Sequence, residues 1–345
     1  MQASFLMGVL LGLLAGLVNG IFLLPMRFTR KWEWENSWLI FTILSTGVLP
    51  WVAALLAVPN LMSVFRESPW SVFLPGLVGG AIWGVAQVLY GLGLGMVGVA
   101  AGSAIVACTS TIAGTLGPMI VYAPGRLLTS ASLMLLLAIV LILLGIFLYG
   151  KAGIRKEKET AGKDVPKQVV RGSFRTGLVI CLTTGVIGTA FIYGGEVKSL
   201  MAATIAAGAN DIFAKYPGFV ITFNAGMLPG VIYSIYKLNK NKTWGAFRQS
   251  GAFFWNFGWA TCMAILWYSG ILMFGMSGKK IGTGLGPSIA FALFASGTVL
   301  FANLFGWLAG EWKGASRVTI RRFVIGMAFI IAAILVIAFG VNRPA

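Results

Sequence analysis

Nine stretches of this chain contain no Asp, Glu, Lys or Arg: 1–26, 36–65, 68–125, 127–150, 176–195, 216–236, 249–278, 281–310 and 323–342. Eight of them are 20 to 30 residues long. An apolar helix of about 20 residues crosses the hydrocarbon core of a bilayer, so each of the eight reads as one span with its ends. The ninth, 68–125, has 58 residues, enough for two spans joined by a tight uncharged turn near Gly95–Gly98. Lipid offers no hydrogen bonds to a bare backbone, so segments like these must be helices or strands of a closed barrel, and their length selects helices. The expected fold class is therefore an all-α integral membrane protein with ten transmembrane helices. The uncharged piece Ser199–Asn210 is too short to span and is expected to be an interfacial or extracytoplasmic loop segment. The first stretch has no Lys or Arg before its apolar run, unlike a cleavable signal, and is expected to be the first permanent span.

Charge supports the same reading. Hydrophobic residues make up 58% of the chain and charged residues 10%, where a soluble domain carries about a quarter charged. The net charge of +17 would invite a nucleic acid in a soluble protein. Here the cations lie in short gaps between apolar runs, which makes them topology signals and contacts for anionic membrane lipids, with no nucleic-acid partner expected. Of 26 Lys and Arg, 19 fall in the odd-numbered gaps. The positive-inside bias then puts those gaps in the cytoplasm and both termini outside a bacterial-type inner membrane. The polar stretch 151–175 divides the chain into a first half, 1–150, and a second, 176–345, with five spans each. An odd number of spans inserts the second half upside down, giving a 5+5 inverted repeat.

Histidine is absent, which excludes His catalysis and His metal ligation. Cys108, Cys181 and Cys262 are too widely spaced for a zinc site and odd in number. No HExxH, GxSxG or Walker lysine occurs. No metal or organic cofactor is implied, and binding with movement is favoured over bond-making.

The polar groups inside the apolar runs carry the most information, since each costs free energy in lipid unless it is partnered or faces water. Trp83, Gln87 and Tyr90 lie at i, i+4 and i+7 and share one face of span 3. Asn256 and Trp259 are three apart on span 8, with Trp267 and Tyr268 two turns further on, and Asn19 closes the Gly8, Gly12, Gly16, Gly20 stripe of span 1. An amide beside an aromatic ring suits a neutral hydroxylated ligand, with hydrogen bonds to hydroxyls and ring packing on a sugar's C–H face. Each amide could equally bridge two helices, and the glycines at four-residue spacing serve close helix packing within or between chains. Among nine acids, Glu196 is the one nearest the end of an apolar helix. Burial would favour its protonated form, while the neighbouring Lys198 would oppose that.

Four segments point to a family. PMRFTRKWEWENSW (25–38), LPWVAALLAVPN (49–60), GAIWGVAQVLYGL (80–92) and GEWKGAS (310–316) resemble the L-rhamnose–proton symporter family of the drug/metabolite transporter superfamily. The basic, Trp-x-Trp-Glu motif falls on Lys31, Trp32, Trp34 and Glu35. The span-3 motif falls on Gly80, Ala81, Trp83, Gly84, Tyr90, Gly91 and Leu92, and a Glu–Trp pair on Glu311 and Trp312. The resemblance implies a ten-helix, 5+5 carrier that takes up a small neutral sugar, L-rhamnose or a related deoxy-sugar, with protons by alternating access. The expected substrate contacts are Asn19, Trp83, Gln87, Tyr90, Asn256 and Trp259 near the bilayer midplane between the two halves. Glu35 or Glu196 is expected to couple protons or gate. A drug/metabolite-type exporter of amphipathic molecules and a membrane-embedded enzyme or sensor are the competing readings. Oligomeric state stays open at this point.

Overall fold

The computed structural model describes residues 2–160, 173–248, 251–282 and 284–341. It is all-helical there, with ten helical segments long and apolar enough to cross a membrane. Span 1 is α1 (Gln2–Ile21). Span 2 is α2 (Trp34–Thr42) and α3 (Leu49–Ala57), joined by a π-helical turn over Ile43–Val48, with Pro50 in the first turn of α3. A short α4 (Leu61–Glu67) follows a left-handed Asn60. Then come α5 (Leu74–Val97), α6 (Val99–Tyr122) and α7 (Ser130–Thr160). Span 6 is broken into α8 (Phe174–Ile187), α9 (Phe191–Gly195) and α10 (Lys198–Ala206). The chain ends with α11 (Tyr216–Asn241), α12 (Phe253–Ile281), α13 (Gly286–Leu308) and α14 (Arg317–Leu335).

The turn between spans 3 and 4 is a single residue, Gly98, at φ +100°. Only glycine takes that conformation without a Cβ clash, so the 58-residue stretch divides where the uncharged turn was expected. Ser199–Asn210 is mostly helix: α10 covers its first part. The polar stretch after span 5 begins as helix, because α7 continues ten residues past Gly150, with an i, i+4 Arg155–Glu159 pair on its last turns. Residues 161–172 of that stretch lie outside the described residues.

The helices form two compact units. The chain passes between them after Gly20, Val88, Thr189 and Met276. One unit contains α1, α6, α7, α8, α13 and α14 with the last turns of α5 and α12; the other contains α2, α3, α9, α10 and α11 with the main parts of α5 and α12. Both units draw on both halves of the sequence.

In the first unit the glycine stripe of α1 is buried within the chain. A Cβ at Gly12 would meet Leu293, one at Gly16 would run into the backbone of Gly297, and one at Gly20 into that of Ala302. Ser277 donates to the carbonyl of Gly8 at 2.7 Å, and Asn19 donates to Thr298 Oγ1 at 3.1 Å. The packing reading of the stripe is thus met inside one chain, by α13 and the end of α12. Leu135, Ala138, Ile142 and Ile146 of α7 are buried, as are Ile330 and Ala333 of α14, and Gly145 and Gly326 let the two helices touch backbone to backbone. Trp312, at 8% exposure, closes this corner against Phe323, ring centroids 4.2 Å apart.

Candidate functional site

The second unit holds the largest gathering of rings. Its origin is backbone proximity. A Cβ at Gly80 would overlap the carbonyl oxygen of Thr222, and one at Gly84 that of Gly226, so α5 and α11 cross in direct contact. That closeness brings Trp83 onto Phe223 (5.3 Å, edge-on) and Trp267 (5.6 Å, tilted by 30°). Phe191 of α9 completes the group against Trp83 at 6.4 Å and Phe274 at 5.9 Å. Edge-to-face contacts at these separations are the favoured geometry of aromatic pairs. Tyr268 sits behind Phe223 at 6.2 Å, and its buried hydroxyl has no hydrogen-bond partner among the described residues. A buried hydroxyl without a partner costs about 1–3 kcal/mol, and Tyr268 is 3% exposed. Gln87, one turn along α5 from Trp83, is exposed and makes no hydrogen bond among the described residues.

The break in span 6 lies beside this cluster. At α9 the chain presses Gly194 against Gly76 and Thr222, and Gly195 against the ring of Phe219, leaving no space for side chains. Glu196 caps the end of α9, and its carboxylate forms a hydrogen-bonded ion pair with Lys215, the residue preceding α11. The side chains are 13% and 7% exposed. Phe219, one turn into α11, packs on Phe223 at 5.6 Å, so the pair and the rings share one wall. The lysine expected to accompany Glu196 was Lys198, which is exposed; the partner lies 19 residues away in sequence.

The remaining candidates are placed elsewhere. Asn256 is fully buried and its amide is committed to a backbone: it accepts from Arg30 N at 2.8 Å and donates to Arg30 O at 2.7 Å. Trp259 packs on Phe28 with ring centroids 4.8 Å apart and the planes tilted by 31°. Both thus hold the segment before α2 onto the start of α12, about 16 and 12 Å along the helix from Trp267 by its rise per residue. Glu35, at 3% exposure, accepts from Asn241 Nδ2 and Thr243 Oγ1, both at 2.8 Å, and Asn36 donates to the carbonyl of Thr243 at 3.1 Å. The Trp-x-Trp-Glu motif therefore ties the start of α2 to the end of α11. Asn19, on Thr298, and Tyr90, 39% exposed, belong to the first unit. Asn224 of α11 bridges the π-helical turn: it accepts from Trp51 Nε1 at 3.2 Å and donates to Thr46 O at 3.3 Å.

Asn256→Ala should remove both part-buried hydrogen bonds to the Arg30 backbone. A loss of about 1–2 kcal/mol is expected, read as a lower melting temperature of the purified protein; unchanged melting would show that the clamp contributes nothing to stability.

Lys215 and the rings Phe191 and Phe223 were not singled out from the sequence. The usable signal for Lys215 was its position, a lone cation directly before an apolar helix and outside the cation-rich gaps. Among the described residues no three His, Cys, Asp or Glu side chains converge.

Ten helical segments long and apolar enough to span, one of them broken beside a buried ring cluster and an ion pair, define a multi-pass membrane protein. The family model for the L-rhamnose-proton symport protein matches residues 1–343, and the chain belongs to that family, which is one of transporters and not of enzymes. It is 25% identical to the L-rhamnose-proton symporter of Cronobacter sakazakii, 24% to that of Escherichia coli K12 and 23% to that of Yersinia pestis, in each case over 99% of both chains.

Proposed function

We propose that this protein takes up L-rhamnose or a related deoxy-sugar together with protons by alternating access, with Trp83, Trp267, Gln87 and Tyr268 contacting the sugar and Glu196 exchanging the proton. The observation that carries the proposal is the juxtaposition, within one compact unit, of the ring cluster and the Glu196–Lys215 pair at the break in span 6. Rings pack on the apolar face of a deoxy-sugar, and Gln87 and Tyr268 supply hydrogen bonds to its hydroxyls. Interrupted helices with charged groups at their broken ends are the usual construction of substrate and ion sites in secondary transporters. Protonation of Glu196 would replace the ion pair by a neutral acid beside a cationic lysine. The fit of α9 against α11 then differs between the two protonation states, which is the differential interaction a proton needs in order to shift a conformational equilibrium. Asn256 and Trp259 of the same unit stay in the proposal as further sugar contacts, and Glu35 as a gate that opens when its hold on Asn241 and Thr243 is released.

The 5+5 inverted repeat has support in the two units. The chain leaves or enters a unit in spans 1 and 3 of the first half and in spans 6 and 8 of the second, the same ordinal positions of each five. The cation-rich gaps are proposed to face the cytoplasm and the membrane to be the bacterial inner one.

The test is uptake of labelled L-rhamnose into proteoliposomes with and without an inward proton gradient, beside Gln87→Ala. Gradient-driven accumulation is expected, reduced about tenfold or more in the variant by the loss of one to two hydrogen bonds. Folded protein that gives no uptake above empty liposomes would sink the rhamnose assignment.

A further inference from the structure

The first unit carries a surface pocket of ≈ 500 Å³ between α7 and α14, lined by Leu148, Lys151, Ile154, Arg155, Lys158 and Arg322. Four of its six lining residues are cations. Lys151, Arg155 and Lys158 stand at i, i+4 and i+7 and so form one stripe of α7, and Arg322 faces them from α14. The acids nearby are occupied in ways that leave this charge standing. Glu157 accepts from the backbone N–H of Ala100 at 3.0 Å, at the start of α6. Glu159 accepts from Ser316 N at 2.9 Å, Ser316 Oγ at 2.7 Å and Thr319 Oγ1 at 3.0 Å, at the start of α14, besides pairing with Arg155. Lys158 and Arg322 have no carboxylate partner among the described residues, and Lys151 lies over the ring of Phe147 at 4.3 Å. One carboxylate contact is thus shared among four cations.

What lies next to the pocket identifies its occupant. Toward the middle of α7, Phe147 and Leu144 are 53% and 43% exposed, and on α14 Ile325, at i+3 from Arg322, is also exposed. An apolar face of two membrane-spanning helices that ends in four cations matches a phospholipid, acyl chains along the face and phosphate at its end. We infer that the α7–α14 pocket binds the head group of an anionic phospholipid, its phosphodiester bridging Lys151, Arg155 and Lys158 on α7 to Arg322 on α14. Basic pockets between spans bind such head groups through the summed charge of their lysines and arginines. A bound lipid would clip together the two helices that Gly145 and Gly326 already bring into backbone contact.

The experiment compares full-length protein with Lys151→Gln/Lys158→Gln/Arg322→Gln and with the control Lys240→Gln/Lys242→Gln, which removes two exposed cations of the other unit. Native mass spectrometry counts retained lipid after mixing with cardiolipin, with phosphatidylcholine, or with inorganic phosphate alone, and thermal melting is followed in the same mixtures. Retention of cardiolipin over phosphatidylcholine is expected, weakened roughly a hundredfold in the triple variant, about fivefold per neutralised cation, and unaltered in the control. Cardiolipin should raise the melting temperature of the wild type and the control only. A triple variant that melts like the wild type without lipid shows that it folds; if it does not, the single Arg322→Glu variant replaces it, with loss of cardiolipin retention expected. Equal retention of both lipids, equal loss in the control, or stabilisation by phosphate alone as strong as by cardiolipin would each overturn the inference.

Discussion

Glu196→Ala is expected to destabilise the protein by about 3–5 kcal/mol, because it leaves the buried Lys215 ammonium without a counter-charge. On melting this is a fall of the order of 10 °C. The acid sits at the end of α9, against helix packing that has no slack: Gly194 and Gly195 are in contact with Thr222 and Phe219, and water has little room to replace the lost carboxylate. Pairing the change with Lys215→Met should recover most of the stability, since an apolar pair of similar volume often replaces a buried ion pair at little cost. The double variant separates structure from transport. If Glu196 exchanges the proton, the folded double variant equilibrates sugar across proteoliposomes but no longer accumulates it when a proton gradient is imposed. Accumulation at the wild-type level would remove Glu196 from the coupling step and leave Glu35 as the acid to test. A single Glu196→Ala that melts with the wild type would mean that the pair is solvated and weak, as exposed pairs are.

Gly80→Val should prevent assembly of the second unit. Any Cβ at this position overlaps the carbonyl oxygen of Thr222, and that atom belongs to a helix backbone that cannot turn aside as a flexible side chain can. Separating α5 from α11 breaks the Gly84–Gly226 approach one turn on and with it the seat of Trp83 on Phe223. In lipid, where packing rather than the hydrophobic effect holds helices together, loss of a small-residue contact has few substitutes. The expected result is aggregated or proteolysed protein and no monodisperse peak on size-exclusion chromatography. Gly91→Ala is the matched control on the same helix: nothing lies within 4 Å of a Cβ there, and stability within about 0.5 kcal/mol of the wild type is expected. A well-folded, transporting Gly80→Val protein would show that α5 and α11 do not cross as closely as described.

The family motifs divide along the same line. Gly80, Trp83 and Gly84 build the ring cluster, whereas in the other motif Trp32 is packed on Phe247 and Phe253 and Glu35 is held by Asn241 and Thr243. Matching motif residues marked the family correctly and left open what each residue packs against.

Which segments span the membrane, how many there are and where spans 3 and 4 part were legible in the chain alone. Those features are written locally, in uninterrupted apolar length and in one glycine placed where a positive φ is needed. The likeness of the chain to its family was legible for the same reason, through short runs such as 80–92. Three things were decided only by the tertiary structure. The sequence left open whether Asn256 binds a ligand or bridges segments, and only the fold shows the backbone of Arg30, 226 residues away, on both its donor and its acceptor. Lys198 looked like the partner of Glu196 until the ends of α9 and α11 brought Lys215 to it instead. The glycines of α1 fitted packing within or between chains until α13 filled their face. In each case the side chain's role depends on which distant helix fills its hydrogen-bonding or steric capacity. Helix periodicity carries no information about that, because it records the direction a residue faces and not what stands opposite.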